Sequence, residues 1–354
     1  MFVSSRPGEY GSLVTPNTGQ HRYHAPMPKP PHSPLTTTAP SLANSLVPTR
    51  HGALWLEAGQ HPQGRVHLSA ASGLVRSGAQ LFVVADDELH LGVFGDTLGG
   101  GGALQPGRLL RLLAGDLPAD KGPRKKAKPD FETLALLPPL PGCACGALLA
   151  LGSGSRPNRE TGVLLALAAP GVLNGRTAIV PLAALYAPLR KRFADLNIEG
   201  AWVSSGELLL LQRGNKGDAR SACIRYDWNL MAPWLAGLQP LQPAAKSIQI
   251  LNLGSVDGVP LSLTDGVPLP NGEWMFSAVA EDTADSVADG ACVASALGVV
   301  TPEGQVRRCI TLQGAPKVEG IAVQTEGDDW VVTLVTDPDD PTVASQCLMV
   351  RMAR

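Results

Sequence analysis

No histidine follows residue 90 in this 354-residue chain: His21, His24, His32, His51, His61, His67 and His90 are the full set. A Ser-His-Asp hydrolase would therefore have to draw its base from His51, His61, His67 or His90, and no G-x-S-x-G nucleophile elbow is present. The H-E-x-x-H pattern of helix-borne zinc sites is also missing. So is any phosphate-cradling loop of the G-x-x-x-x-G-K-[ST] or G-x-G-x-x-G type, since Gly99 to Gly102 is a plain glycine run. Long apolar runs are lacking. Val163 to Ala169 and Ala291 to Val300 fall well short of the ~20 residues a spanning helix needs. Residues Met1 to Tyr10 lack the apolar segment and small-residue cleavage site of a secretory signal, so a cytoplasmic protein with no membrane partner is expected. Neither sign of charge is in excess: 29 Lys+Arg against 31 Asp+Glu leave a net charge of -2, which argues against nucleic acid and polybasic membrane attachment. Of six cysteines only Cys143 and Cys145 are close, as C-x-C rather than C-x-x-C, and most of the six read as small core residues rather than metal ligands.

What the chain does have is turn formers. The 39 glycines and 31 prolines make up about a fifth of it and disfavour an all-helical fold. Residues 1–48, dense in proline with Ser, Thr and His and without helix or strand period, read as a disordered tail. The basic stretch Asp116 to Asp130, with Lys121, Arg124, Lys125, Lys126 and Lys128, offers either a local anion-binding patch or a solvated loop, and the loop is favoured because no aromatic residues interleave it for base stacking.

Elsewhere short apolar runs recur in a fixed order. One unit opens Glu199-Gly200-Ala201-Trp202, turns at Ser204-Ser205-Gly206, runs Leu208 to Leu211, crosses a polar loop and ends Ala222 to Tyr226. A second opens Asp265-Gly266-Val267 and a third Glu319-Gly320-Ile321, each with the same sequence of turn, run and polar loop. A shorter unit starts Ser72-Gly73-Leu74-Val75, and a weaker copy shows only its second half, Gly146 to Leu151 and Gly162 to Leu167. Hairpins repeated this way, without long helices between them, predict an all-β fold, a single β-propeller over 49–354. Five blades are expected, with six the alternative count and a large sandwich or barrel the competing architecture. A short helix is predicted over Pro188 to Leu196, and Cys347 to Arg351 is expected to close the ring against residues near Ala53 to Leu68.

If the acid-glycine step opens the innermost strand of each blade, the next strand returns to the same face and its following loop lands near the acid. Glu199, Asp265 and Glu319 are then expected around one mouth of the channel, binding a divalent cation or activating water. Their bland role is to hydrogen-bond backbone amides and lock blades together. Arg156, Asn158, Arg159, Arg213 and Lys216 are expected to hold an anionic ligand, and Glu281 and Asp337 to serve as metal ligands. The acidic loop from Glu281 to Gly290 lacks EF-hand spacing, so calcium is a candidate ion without a calcium motif behind it.

The segments N-I-E-G-A-W (197–202), L-L-L-L-Q-R-G-N (208–215), F-S-A-V-A-E-D-T-A-D (276–285), K-V-E-G-I-A (317–322) and V-T-D-P-D-D-P (335–341) resemble an uncharacterised family of bacterial β-propellers, from about residue 70 onward. The E-G-I-A strand opening is also similar to that of esterase-like phytase domains. The resemblance implies a propeller with a polar mouth. The leading reading is a metal-assisted, phosphoesterase-like hydrolase of a small anionic molecule. Its rival is a noncatalytic propeller that binds a ligand or a protein partner.

Overall fold

A computed structural model describes residues 41–96, 104–240, 244–282 and 291–354, with backbone alone for 41–44. Most of the tail expected over residues 1–48, and residues 283–290 of the acidic loop, lie outside these described residues.

The chain begins with β1 (Ser41–Leu46) and β2 (Thr49–Ala53). Blade 1 is β3 (Ala71–Ser77), β4 (Gln80–Ala85), β5 (His90–Gly95) and β6 (Arg108–Arg111). Helix α1 (Lys121–Ala127) leads into blade 2, formed by β7 (Phe131–Leu137), β8 (Ala147–Gly152), β9 (Thr161–Ala169) and β10 (Val172–Pro181). Helix α2 (Ala183–Arg190) precedes blade 3, which is β11 (Ile198–Ser204), β12 (Glu207–Gln212), β13 (Ser221–Asp227) and, after helix α3 (Trp228–Leu235), β14 (Ser247–Leu251). A two-residue hairpin, β15 (Ser255–Val256) and β16 (Val259–Pro260), joins it to blade 4: β17 (Ser262–Pro268), β18 (Trp274–Asp282), β19 (Ala291–Val300) and β20 (Val306–Leu312). Blade 5 is β21 (Val318–Glu326), β22 (Asp329–Thr336) and β23 (Gln346–Ala353).

Each blade is an antiparallel meander, and β3, β7, β11, β17 and β21 pack side by side as the innermost strands. The ring closes by chain exchange. β2 is the outermost strand of blade 5, pairing Thr49 with Met349 and Ala53 with Gln346, while β1 adds a parallel fifth strand to blade 4. The closure partner is thus 49–53 rather than the segment beyond it.

Because each blade is covered by its two neighbours, its strands bury both faces, and runs such as Leu208 to Leu211 are apolar throughout instead of alternating. Buried side chains fall into five clusters, one at each blade boundary. Phe82 and Phe131 sit between blades 1 and 2, Leu149 and Leu210 between 2 and 3, and Trp202 and Trp274 between 3 and 4. Met275 and Ile321 fill the boundary of blades 4 and 5, and Leu74 and Val335 that of 5 and 1. Five interfaces for five blades make the ring complete, and this settles the count at five. Cys143, Cys223, Cys309 and Cys347 are unpaired and buried, as core residues should be. The Ser205-Gly206 turn has φ of 52° and 75°, the left-handed pair that suits the twist of a two-residue hairpin. No helix among the described residues is long and apolar enough to cross a membrane.

Two local expectations are corrected. The helix predicted over Pro188 to Leu196 is α2, starting at Ala183 with Pro188 inside it, where Leu185, Tyr186 and Leu189 turn inward against blades 2 and 3. The basic stretch Asp116 to Asp130 is not simply solvated, since Arg124 and Lys128 are buried.

Candidate functional site at the propeller mouth

All five innermost strands carry an extra residue near their start, where two residues face one on the partner strand. The extra residues are Ser72, Glu132, Glu199, Thr264 and Glu319. A bulge re-aims the side chain it carries. Ser72 and the three glutamates line a cavity of about 750 Å³ at the mouth of the ring. Two residues upstream, Asp130, Asn197, Ser262 and Lys317 line it too. The residue just past the second strand completes the layer. The backbone N–H groups of Asp86, Arg213 and Asp337 donate to the carbonyls of Ala70, Asn197 and Lys317 at 3.0, 2.9 and 3.0 Å, so these three stand at equivalent positions in their blades.

Two cations tie together the side of the cavity formed by blades 3 to 5. Arg213 Nη2 donates to Glu281 Oε2 at 2.5 Å, and Nη1 lies 3.4 Å from Glu199 Oε1 and 3.5 Å from Glu319 Oε2. Lys317 Nζ is 2.5 Å from Asp339, 3.2 Å from Glu281, 3.4 Å from Asp337 and 3.7 Å from Glu319. Toward blades 1 and 2, Lys128 pairs with Asp86 and lies 2.9 Å from Asp130 Oδ1, while Asp130 Oδ2 accepts from Arg159 at 2.7 Å and from Ser153 Oγ at 2.6 Å. Asp130 has φ 59°, a left-handed conformation that a non-glycine residue keeps only when its surroundings hold it there. Carboxylate oxygens of Asp86, Asp130 and Glu132 all lie within 4.8 Å of one another. Three acids so placed form a cluster able to chelate a divalent cation, with hard oxygen donors of the kind Mg²⁺, Ca²⁺ and Mn²⁺ take.

Carboxylates outnumber cations in this layer, and burial makes that costly. Burial raises the Glu199 carboxyl to about 8, with Arg213 opposing and Glu319 adding to the rise. Glu199 Oε2 is buried without a hydrogen-bond partner among the described residues, whereas Oε1 accepts from Asn197 Nδ2 at 2.5 Å. Glu132 is pushed well above its ordinary value by burial and then by the neighbouring Glu199 charge. Asp337 rises to about 8 through burial, against the pull of Lys317. Burial likewise lifts Asp86 and Glu319.

The residues singled out by sequence divide into three groups. Glu199, Glu319, Glu281, Asp337, Arg156, Arg159, Arg213 and Lys216 line the cavity. Asp265 does not. It stands one residue past the bulge, at the position of Gly73, Gly200 and Gly320, and both its oxygens accept backbone N–H groups, from Gly266 at 2.7 Å and Ile321 at 2.9 Å. Asn158 also lies off the cavity; its amide donates to the carbonyls of Lys126 and Lys128 at 3.2 and 3.0 Å and fastens the end of α1. Of the three arginines, Arg159 and Arg213 are spent on carboxylates, and Arg156 alone is solvent-exposed at the rim with no ion pair among the described residues. Sequence reasoning missed Asp86, Asp130, Glu132, Lys128 and Lys317. The available signal was positional: Asp130 and Lys317 each precede a bulge glutamate by two residues.

Residues 124–341 match the model of a protein family described as a family of unknown function, DUF6910. The chain belongs to this family. The DUF6910 match takes in Asp130, Glu132 and the Arg213 and Lys317 network, and leaves out Asp86 and the strands before it. No curated protein matches the chain. Among solved structures it is similar to the N-terminal domain of Nup159, at 12% identity over 74% of this chain and 56% of that one, with a TM-score of 0.29. It is also similar to a variant of Synechocystis apocarotenoid oxygenase, at 10% identity over 79% of this chain and 71% of that one, with a TM-score of 0.31. The chain thus spans little more than half of the Nup159 domain.

Proposed function

We propose that the mouth cavity binds a divalent cation at Asp86, Asp130 and Glu132 together with a small anionic molecule, and hydrolyses an ester of that anion. The observation that carries this reading is the convergence of three carboxylates within 4.8 Å inside a cavity with an uncommitted arginine at its rim. The likeness of the E-G-I-A opening to esterase-like phytase domains favours a phosphate ester as the class. Glu281 and Asp337, the metal ligands expected from sequence, pair with Arg213 and Lys317 and stand outside the group of three acids whose oxygens converge. A bound cation would supply charge neutralisation and a more acidic water. The chain's own residues do the rest: Asp130 is held in register by Arg159 and Ser153, Arg156 orients the anion at the rim, and Lys128 balances the acid cluster.

The noncatalytic reading has its own supporting observation. Arg213 and Lys317 bridge acids from blades 3, 4 and 5, which is what a purely structural lock requires. A thermal-shift titration with Mg²⁺, Ca²⁺ and Mn²⁺ separates the two, because a ligand of the native state alone raises its stability, by about 2.7 kcal/mol at a hundredfold excess over Kd. The expected result is an ion-specific shift lost in Glu132→Gln and kept in Glu281→Gln. No shift with any of the ions overturns the metal reading.

A further inference from the structure

Beside the three acids that converge stands a fourth. Glu132 on β7 and Glu199 on β11 are the bulge residues of neighbouring innermost strands, and the hydroxyl of Thr133 donates to the carbonyl of Ile198 at 3.3 Å, which fixes the two glutamates side by side. Of the charges around Glu132, that of Glu199 acts on it most strongly. Both residues line the cavity. Asn197 and Arg213 take up Oε1 of Glu199 only. Its Oε2, on a side chain just 1% exposed, has no hydrogen-bond partner among the described residues. Asp86 and Asp130 have Lys128 and Arg159 beside them, whereas Glu132 forms no ion pair among the described residues.

A buried carboxylate oxygen with neither donor nor cation is costly, and two such groups side by side are costlier still. What the pair lacks is a positive charge small enough to sit between two carboxylates. A hard divalent cation meets that need, since Mg²⁺ is commonly held by one or two carboxylates with water filling its other positions. We infer that Glu132 and Glu199 hold a second divalent cation beside the first, with Glu132 bridging the two. The inference rests on the proposed cation at Asp86, Asp130 and Glu132 and makes of it a two-metal centre, in which Glu199 is a ligand of the second ion alone. Paired cations about 3.5–4 Å apart clamp both the attacking and the leaving oxygen of an in-line displacement, which suits hydrolysis of an ester of a small anion.

The test is equilibrium dialysis of the full chain against Mn²⁺, which takes the same oxygen ligands as Mg²⁺, followed by electron paramagnetic resonance of the loaded protein. Two Mn²⁺ ions sharing a carboxylate give the spectrum of a spin-coupled pair, and separate ions do not. The wild-type protein is expected to hold two ions per chain in coupled form, and Glu199→Gln to keep one ion and lose the coupling. A single ion on the wild-type protein, two ions without coupling, or a coupled pair that survives Glu199→Gln overturns the inference and leaves the first site standing. The wild-type count decides between one site and two without any variant. Failure of the wild-type protein to bind any Mn²⁺ overturns both readings.

Discussion

Asp265 Oδ2 accepts the backbone N–H of Ile321 at 2.9 Å, so a side chain of blade 4 is bonded to the innermost strand of blade 5. Three other blades have glycine at this position, and there the backbones approach too closely for a side chain: a Cβ on Gly73 would lie 2.6 Å from the nitrogen of Leu134, and one on Gly320 2.9 Å from that of Leu74. Blade 2 has Thr133, whose hydroxyl donates to the carbonyl of Ile198 at 3.3 Å. The position joins blades, by contact where it is glycine and by hydrogen bond where it is not.

Asp265→Ala should consequently act on stability alone. It leaves the N–H groups of Gly266 and Ile321 buried without their partner, at about 1–3 kcal/mol each. For a chain of this size the melting temperature should fall by roughly 2–4 °C per kcal/mol lost. Differential scanning calorimetry with and without Mn²⁺ checks both parts: the melting temperature drops, and the increment given by the ion does not change.

Stability should fall as pH rises through the window set by Glu199. Its carboxyl ordinarily titrates near 4.5 and is lifted by burial to about 8, so between those values the native state holds a proton that the unfolded chain has released. The stabilising contribution is complete below about 4.5 and gone above about 8. Asp337, lifted to about 8, adds in the same direction. Melting temperatures from pH 5 to 9 should decline and then level off, and Glu199→Gln should flatten the decline. A profile that rises over this range contradicts the account.

Removing residues 1–40 leaves every described strand in place and gives the reference for a larger cut. Removing residues 1–53 takes β1 and β2, stripping blade 5 of its outermost strand and baring the edge of β23. That protein should melt earlier and aggregate on heating, because an unpaired edge is a template for association. Light scattering during the melt distinguishes the two truncations.

The fold was largely legible because a repeat leaves the same marks in every blade. Blade 2 was the exception. Its opening reads Phe131-Glu132-Thr133, without the acid-glycine or serine-glycine step that marks the openings of the other recognisable units, so β7 escaped notice and Glu132 with it. Asp265 failed for the opposite reason. It precedes a glycine, but the bulge lies one residue earlier at Thr264, which turns the aspartate toward the next blade. Bulge register is set by pairing across strands, and the letters of one strand do not contain it. The ion pairs of Arg213 and Lys317 cross blades far apart in sequence, so which of the mouth's arginines remained uncommitted was visible only after folding.

The pairing of Thr49 with Met349 fixes the order in which the molecule can be completed. On the ribosome β2 is among the first strands made and its partner among the last. At roughly 5–20 residues per second the intervening chain takes on the order of 15–60 s to synthesise. Through that interval β2 has no edge to dock on, while blades 1 to 4 can already stack in sequence. The circle is then sealed only once β23 has been made, by a contact between the two extremities of the propeller, and a nascent chain halted before β23 would be held as an open arc.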